Sequence, residues 1–477
     1  MTIAGIMIAN HPEAAPVPVM PKRPSQPLSA WQLLRIGLRN TLEACDEQLF
    51  DELVVERRFL SYRTFVVSDP EGIRRVLQDN HENYVRLDQN RRMFHFDAGS
   101  GLLSADHETW QRHRHLLNPT LDHRAAQLAA PMLCDLAARL VDQFTRSLPE
   151  ADIDVADMAT AWMTQAAGHV FAGEDRALDP MLLRMGVYPG RFSVFDFLPF
   201  PGPLRKIDRY REARTGPSHY FPVLDRMFAE RRNPDWNGGK DLLWHLANCR
   251  DRNSGERLSL SEFRDEALTL GSTAATPVRP LTWIWYLLAL FPEAETRLHA
   301  ELDEVLGGAL RPDDIGRLTY LRRVVDETMR LYPPLPAMFR LTREDDLICG
   351  RRIPRNSIVV VVPWVVHRHR RLWDHPDHFD PDRFSPERSA SRSRYAYLPF
   401  SIGPHVCIGA SLGMLQILIG AAALAQRLRF RLVRDFPVVP SAWTNLRPAH
   451  GIRMTVELRE AGLASREPAL AEAAAPG

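Results

Sequence analysis

Lysine is nearly absent from this chain of 477 residues: it occurs only at Lys22, Lys206 and Lys240, and arginine supplies the rest of the positive charge. Lys and Arg together number 60 against 59 Asp and Glu, which leaves a formal net charge of +1. This balance excludes a polybasic nucleic-acid-binding protein and an acidic solvating chain, although a local patch can hide inside the sum. We therefore expect no nucleic-acid partner.

Cysteine is scarce as well, and no Cys-x-x-Cys pair occurs among the five residues Cys45, Cys134, Cys249, Cys349 and Cys407. Their odd number and wide separation argue against a disulfide framework and favour a reducing cytoplasm. The sequence also lacks a run of about 18 uncharged apolar residues, the length that a membrane span requires. The apolar start, residues 1–9, has no basic residues of the kind that open a signal peptide. A soluble, cytoplasmic protein without a membrane anchor is the expectation.

Proline is abundant, with 37 residues in the chain. Six of them fall between residues 10 and 28, which predicts a flexible leader over residues 1–28. Helical spacing of apolar residues begins after Ser29, a good helix N-cap, and neither a repeat nor a Gly/Ser linker divides the rest of the chain. We expect a single, mainly α domain with small β-sheets (α+β) over residues 29–462 and a disordered tail over residues 463–477.

The coarse secondary structure is helical from residue 106 to residue 331, whereas residues 363–406 show no helical period and predict a long ordered loop. The β-branched run at 358–362 predicts a buried strand. The remaining expected elements are a strand pair within 59–67, a helix opening at Pro70, a helix over 407–427, and strands at 429–433 and 452–458.

A cysteine stands at the start of the expected helix over 407–427, in the run from Phe400 to Gly409. The positive end of a helix and its free N–H groups favour a thiolate there. The flanking glycines, Gly403 and Gly409, leave room for a flat ligand close to the backbone. Taken alone, however, one cysteine in a turn most often serves packing.

Three further patterns are weak when each stands alone. Glu327 and Arg330 lie three residues apart on one helix face and can pair, as happens in almost any helix. Arg383 lies in a Pro-Asp-Arg-Phe run that could be a simple turn. Trp110 and Arg114 belong to a stretch that could be a basic, solvated helix face.

In this order and spacing, the four patterns resemble the cytochrome P-450 superfamily of haem-thiolate monooxygenases from about residue 30 to residue 460. Phe400, Gly403, Cys407 and Gly409 match its haem-binding signature, and Glu327, Arg330 and Arg383 match its buried structural triad. The resemblance implies a single helical prism enclosing haem b, with Cys407 as the iron ligand. It further implies four propionate-binding residues: Trp110, Arg114, Arg340 and His405, the last replacing a more common arginine.

The resemblance implies an enzyme that inserts one oxygen atom from O2 into a hydrophobic small molecule: a terpenoid, a fatty acid or an aromatic compound. Because the length leaves no room for a fused reductase, electrons are expected from a separate ferredoxin and ferredoxin reductase. An acidic carrier would dock near five arginines on the cysteine side of the haem: Arg112, Arg114, Arg124, Arg322 and Arg323.

The expected distal helix departs from the family pattern. Thr276 aligns with the family's catalytic threonine, but Ala275 stands where most relatives have an acid, and Pro277 and Pro280 should interrupt the helix. Freed carbonyls and nearby hydroxyls could hold a water chain in place of the acid. Two alternatives stay open: an atypical peroxygenase, isomerase or dehydratase that does not activate O2, and, less well supported, a non-enzymatic haem sensor.

Substrate contacts are expected from four apolar segments at 93–103, 192–200, 271–276 and 335–339. The histidines of the long loop could suggest a zinc site, but aromatic packing is the favoured interpretation; they are His367, His369, His375 and His378.

Overall fold

The computed structural model describes residues 16–37, 39–59, 62–87, 99–105, 107–148, 151–187, 217–251, 254–274 and 276–459. Within these ranges the chain is mainly helical with small sheets, as expected. The longer helices are α1 Ala30–Gly37, α4 His107–Leu121, α5 His123–Arg146, α6 Val155–Ala172, α7 Asp179–Val187, α8 Phe221–Arg232, α9 Leu242–Asn248, α10 Leu260–Ala274, α11 Val278–Leu290, α12 Pro292–Val305, α13 Thr319–Leu331 and α16 Ala410–Arg427. The short ones are α2 Gln48–Asp51, α3 Pro70–Arg74, α14 Pro363–Val366 and α15 Pro386–Ser389.

The strands form four small sheets. They are β1 Val54–Phe59, β2 Tyr62–Val67, β3 Tyr84–Val85, β4 Ile153–Asp154, β5 Met338–Thr342, β6 Asp346–Ile348, β7 Arg351–Ile353, β8 Ile358–Val361, β9 Leu428–Leu432, β10 Pro440–Ala442, β11 Leu446–Pro448 and β12 Arg453–Leu458. The largest sheet has the order β1-β2-β8-β5-β3, and only its β2–β8 pair is parallel. A three-stranded sheet joins β4, β12 and β9, while β6–β7 and β10–β11 are hairpins.

Local sequence explains several of these boundaries. Ser29 and Gln32 exchange hydrogen bonds across the first turn of α1, since the Gln32 side chain accepts from the Ser29 N–H at 2.9 Å. Asp69 caps α3 by accepting from the Gly72 N–H, and Pro70 occupies its first turn. The β-branched residues of β8 are buried in the middle of the largest sheet, as the sequence predicts.

Helix α11 runs through the core, and side chains on every face of it are buried. Its Trp283 stacks on Tyr332, which follows α13, with ring centroids 3.9 Å apart. Helix α16 packs along α5 and is the one described helix that is long and apolar enough to cross a membrane. Because 67% of that apolar stretch is buried in the protein, α16 is a core helix.

The expected strand pair within 59–67 extends further toward the N-terminus than predicted, as β1 and β2. The strands expected at 429–433 and 452–458 pair as β9 and β12, and the long loop contains only short helical turns. The division into leader, single domain and tail stays a prediction. The residues after 459 lie outside the described ranges.

Residues 16–28, which composition assigned to a flexible leader, contact the core in the structure. The Val19 N–H donates to the Tyr286 hydroxyl at 3.1 Å, and the Tyr332 hydroxyl donates to the Val19 carbonyl at 2.9 Å. Arg23 pairs with Asp377 at 2.5 Å and lies 3.9 Å from the centroid of the Phe50 ring. These bonds reach α11 and the loop after α14, so this part of the segment is attached to the domain.

Replacing Arg23 should therefore destabilise the protein. Arg23→Ala removes a charge pair and a cation–π contact at a site where the arginine side chain is only 10% exposed, and we expect a loss of about 1–3 kcal/mol of unfolding free energy. Denaturant unfolding would measure it. Lys22→Ala is the matched control, because Lys22 is exposed, and equal stability of the two variants would contradict an anchored segment.

Candidate functional site

The run from Phe400 to Gly409 forms a compact turn that presents the Cys407 thiol just before α16. The Cys407 N–H donates to the Phe400 carbonyl at 2.9 Å, and the Val406 N–H donates to the Gly403 carbonyl at 3.0 Å. Gly403 has a φ of 76°, and a Cβ at this position would collide with the Leu77 carbonyl. Only glycine therefore fits the turn.

Cys407 is exposed at its own surface and yet surrounded by protein. Burial raises the pKa of its thiol, while the Gly409 N–H and the charge of Arg114 lower it. The net shift is upward, so the helix terminus alone does not produce the thiolate that the sequence suggests. The thiol therefore keeps accessible surface although protein groups surround it on most sides.

Cationic side chains gather beside this turn. Arg114 donates to the Val406 carbonyl at 2.8 Å, and the His405 ring lies on the Trp110 ring with centroids 4.0 Å apart. Burial, followed by the charges of Arg86, Arg340, His81 and Arg114, lowers the pKa of His405 to about 3. Burial likewise lowers the pKa of Arg340 to about 10.

The three residues of the expected triad meet in the interior. Glu327 and Arg330 are 0% exposed and are joined by two hydrogen bonds of 2.6 and 2.7 Å. Arg383, 4% exposed, lies 3.4 Å from the same carboxylate through its Nε. The guanidinium groups also donate to five backbone carbonyls of the long loop, those of residues 367, 374, 375, 376 and 378.

Two side chains carry this network on to the cysteine turn. His367 is buried, and its Nε2 accepts from the Leu398 N–H at 2.8 Å, two residues before Phe400. Burial and the charges of Arg330 and Arg368 lower the pKa of His367 to about 3, so it is neutral and can accept this bond. Tyr397 donates to the Asp326 carbonyl on α13 at 2.9 Å.

The distal helix is broken once rather than twice. α10 ends at Ala274 and α11 begins at Val278, with Pro277 as its N-cap and Pro280 in its first turn, where a proline costs no hydrogen bond. The Thr276 N–H donates to the Thr273 carbonyl at 3.0 Å, and the Arg279 N–H donates to the Thr276 carbonyl at 3.1 Å. The carbonyls that the two prolines leave without an α-helical partner are thus satisfied locally, contrary to the expectation of free carbonyls.

The break lies close to the cysteine turn. A Cβ built on Gly413 in α16 would lie 3.5 Å from Pro277 and 4.0 Å from the Phe400 ring, so the two elements are neighbours. Thr276 is half-buried at the break. Ala275, expected in the place of the acid, lies outside the described residues.

Comparisons with known proteins agree with this geometry. The sequence model of the family described as Cytochrome P450 matches residues 21–454. The chain belongs to the cytochrome P450 family. P450 enzymes of this family are haem-containing monooxygenases, so the cofactor is haem b.

Two relatives and one solved structure show how closely the chain resembles other P450 proteins. It is 40% identical to cyclooctatin synthase of Streptomyces melanosporofaciens over 239 residues, about half of each chain (50% and 52%). It is 27% identical to pentalenene oxygenase of Streptomyces avermitilis over 91% of this chain and 95% of the relative. The structure of the cytochrome P450DA haem domain superimposes with a TM-score of 0.75 at 22% identity, covering 85% and 90% of the two chains, which shows the shared fold.

The residues present fit a haem. The propionates of a haem are anions, and the cation cluster beside Cys407 includes no carboxylate among the groups that shift the pKa of His405. The Nδ1 of His405 is buried and has no hydrogen-bond partner among the described residues, as expected for a donor whose acceptor is an anionic ligand. Arg114 belongs to this cluster, and its charge also acts on the Cys407 thiol, so the thiol and the cluster are neighbours.

Two members of the cluster, His81 and Arg86, were not predicted from the sequence. The His81 ring lies 6.1 Å from that of His405, and Arg86 follows β3 and donates to the Leu102 carbonyl at 3.0 Å. Neither belongs to a motif, and only the pairing of β3 with β5 brings Arg86 near Arg340. No signal in the sequence alone identifies them.

Other expectations have mixed outcomes. No group of metal-ligating side chains occurs among the described residues, and His367 is used in hydrogen bonding instead of metal binding. Of the substrate segments, 192–200 and most of 93–103 lie outside the described residues. In the segment at 335–339, Leu335 and Phe339 remain 42% and 40% exposed.

The triad predicts how cofactor loading responds to mutation. Glu327→Gln removes the charge between Arg330 and Arg383, which strands two buried guanidinium groups at a cost of about 3–5 kcal/mol. We expect purified protein with less than half of the normal haem-to-protein ratio and a lower Tm. Glu304→Gln, at an exposed position on α12, is the control, and full haem content in Glu327→Gln would refute the role of the triad.

Proposed function

We propose that Cys407 is the proximal ligand of the haem iron and that Trp110, Arg114, Arg340 and His405 bind the propionates. The observation that carries this proposal is an accessible thiol, largely surrounded by protein, beside a cluster of cationic side chains. Arg86 joins the propionate-binding group because its charge acts on His405. Phe400, Gly403 and Gly409 shape the turn that holds the thiol toward the cofactor.

The thiolate-ligated haem supplies the chemistry of O–O bond cleavage when it is bound. The rest of the work belongs to the chain. The buried triad of Glu327, Arg330 and Arg383 fixes the loop that leads to Cys407, and α11 closes the core behind the cofactor. Thr276 places a hydroxyl at the break of the distal helix, where it can donate or accept a proton.

The reaction that these features support is the insertion of one oxygen atom from O2 into a hydrophobic small molecule. Among the expected substrate classes, a terpenoid is favoured, since two relatives are named for the terpenoids cyclooctatin and pentalenene. Exposed Leu335 and Phe339 offer apolar contact surface for such a substrate. We expect the enzyme in the cytoplasm.

A separate ferredoxin with its reductase is the proposed electron source. Of the five arginines expected to dock it, three are occupied by acidic partners: Arg112 by Glu262, Arg322 by Asp326 and Arg323 by Asp382. Arg114 points inward to Val406, whereas Arg124 is exposed. Docking through Arg124 therefore has the most support.

The alternative of a peroxygenase, isomerase or dehydratase draws on the break at Pro277. Against it, the chain keeps a threonine, Thr276, at the break, and the backbone there is locally hydrogen-bonded. A non-enzymatic sensor is the weaker alternative, because named relatives are oxygenases or synthases.

The ligand assignment is tested by spectroscopy. Cys407→Ser should remove the long-wavelength Soret band that the reduced, carbon monoxide-bound form of a thiolate-ligated haem gives, because a serine hydroxyl does not replace the thiolate. Cys249→Ser is the control: the Cys249 thiol donates to the Leu246 carbonyl at 3.2 Å, a bond that serine can keep. An unchanged band in Cys407→Ser would overturn the assignment.

The choice of oxidant is tested by parallel turnover assays. We expect oxygenated product from a terpenoid hydrocarbon with NADH, ferredoxin reductase, ferredoxin and O2, and incorporation of one labelled atom from ¹⁸O2. Product formed only with added peroxide would favour the peroxygenase alternative. An oxygenated terpenoid, such as an alcohol or a hydroperoxide, is assayed as well, and its conversion in the absence of both oxidants would favour an isomerase or a dehydratase.

A further inference from the structure

A buried pair of titratable side chains joins α4 to α10, away from the cysteine turn. His113 Nδ1 lies 2.6 Å from Glu266 Oε1, and the two side chains are 1% and 0% exposed. On the other side of the ring, Nε2 lies 3.4 Å from Glu262 Oε1. Glu262 also pairs with Arg112, and these outer two are 29% and 30% exposed. The buried pair thus reaches solvent through Glu262.

Glu266 uses only one of its two oxygens for this contact. Its Oε2 is buried and has no hydrogen-bond partner among the described residues. An unpaired buried acceptor costs about 1–3 kcal/mol, more when it is charged, and this arrangement recovers none of that in stability. A buried acceptor without a protein partner is a position where a bridging water or a transferred proton can bind.

The electrostatics of His113 suit a proton store. Burial lowers the pKa of its imidazole, but the hydrogen bonds and charges of Glu266 and Glu262 outweigh burial and raise it. By contrast, Glu262 keeps a pKa of about 2 despite its burial, because Ser259 and Arg112 stabilise its charged form. The charged groups that face His113 are therefore one permanent carboxylate at the surface and Glu266 on the inner side.

A stripe of hydroxyls leads from Glu266 to the break in the distal helix. Thr269 and Thr273 follow Glu266 at spacings of three and four residues within α10, which place them on one helix face, and Thr276 lies three residues further on, at the break. The Thr273 hydroxyl donates to the Leu270 carbonyl at 3.1 Å, and the Thr276 N–H donates to the Thr273 carbonyl, which keeps Thr276 next in line. Side chains one turn apart, with Cβ atoms about 5–6 Å from each other, can be joined by one bridging water.

We propose that Glu266 delivers protons from His113 along this hydroxyl stripe to Thr276, in place of the acid that most P450 sequences carry before the threonine. The proposal rests on the oxygenase function proposed above. Oxygenation of a substrate RH by O2 with two electrons from ferredoxin consumes two protons and yields ROH and water. In each passage His113 gives its Nδ1 proton to Glu266, and Glu266 passes a proton to the first hydroxyl. Each hydroxyl accepts one proton and releases another. His113 then takes up a proton from solvent.

The first test replaces the carboxylate. Glu266→Gln keeps the size and a hydrogen bond to His113 but holds no transferable proton. At equal haem content, we expect O2-driven turnover to fall at least about tenfold, with a larger solvent deuterium isotope effect on kcat. Peroxide-driven turnover should stay within about twofold, since peroxide brings its own protons. Unchanged O2-driven turnover in Glu266→Gln would overturn the proposal.

The chain offers a matched pair of control threonines. Thr269 and Thr282 are 2% and 1% exposed, but only Thr269 belongs to the stripe; the Thr282 hydroxyl donates to the Val278 carbonyl within α11 at 2.8 Å. Thr269→Val should lower O2-driven turnover and leave peroxide-driven turnover, whereas Thr282→Val should lower neither. Equal losses in both variants would mean a packing defect and overturn the stripe.

A measurement without turnover examines the pair itself. In the diamagnetic, reduced carbon monoxide form, ¹⁵N NMR of labelled histidine should show His113 titrating at a lower pH in Glu266→Gln than in the wild type, because a negative neighbour is lost. An unchanged midpoint would overturn the coupling. If the His113 midpoint shifts in Glu266→Gln as expected but the wild-type protein shows no O2-driven turnover, the oxygenase function is refuted, and with it the purpose of the relay.

Discussion

The carboxylate of Glu327 is the interaction on which the cysteine turn depends. It is fully buried, bonded twice to Arg330, close to Arg383, and it also accepts from the Asp380 N–H at 2.8 Å. Removing one carboxylate and two guanidinium groups from water is expensive, and replacement by apolar side chains is often no less stable in other proteins. The triad instead fixes the position of the long loop, because its guanidinium groups bind five backbone carbonyls of a segment that has almost no regular secondary structure of its own.

A few hydrogen bonds connect that loop to Cys407. His367 contributes its carbonyl to Arg330 and its imidazole to the Leu398 N–H, so one residue joins the triad to the start of the cysteine turn. The Phe400 carbonyl then accepts from the Cys407 N–H. Loss of the bonds at Glu327 would therefore remove constraints on the loop that leads to the sulfur.

The sequence could identify the residues whose spacing is local. Cys407 with its glycines, Glu327 with Arg330, and the β-branched strand β8 are all patterns within ten residues. Local spacing could not identify Arg86, His81 or the contacts of Val19 and Arg23. Each of them depends on a partner more than 250 residues away in the chain. Tyr286 is such a partner for Val19, and Arg340 is one for Arg86. The proline-rich composition of residues 10–28 suggests flexibility. Composition carries no information about Tyr286 and Tyr332, the core residues that bind Val19. In the distal helix, likewise, two prolines predict two interruptions. The helix breaks at Pro277, and this break places Pro280 in the first turn of α11, where a proline is tolerated.

The cations beside Cys407 add a thermodynamic consequence to the geometry. Burial lowers the pKa of Arg340 to about 10, so its positive charge is held at a cost in free energy, whereas a pKa of about 3 leaves His405 neutral. A ligand that brings two carboxylates to these groups removes the unfavourable term, and its binding therefore stabilises the folded state. The arginines of the cluster would hold the two propionates of a haem, and Cys407 would bind its iron. The arginines would thus favour an anionic cofactor beside the cysteine turn that the triad supports.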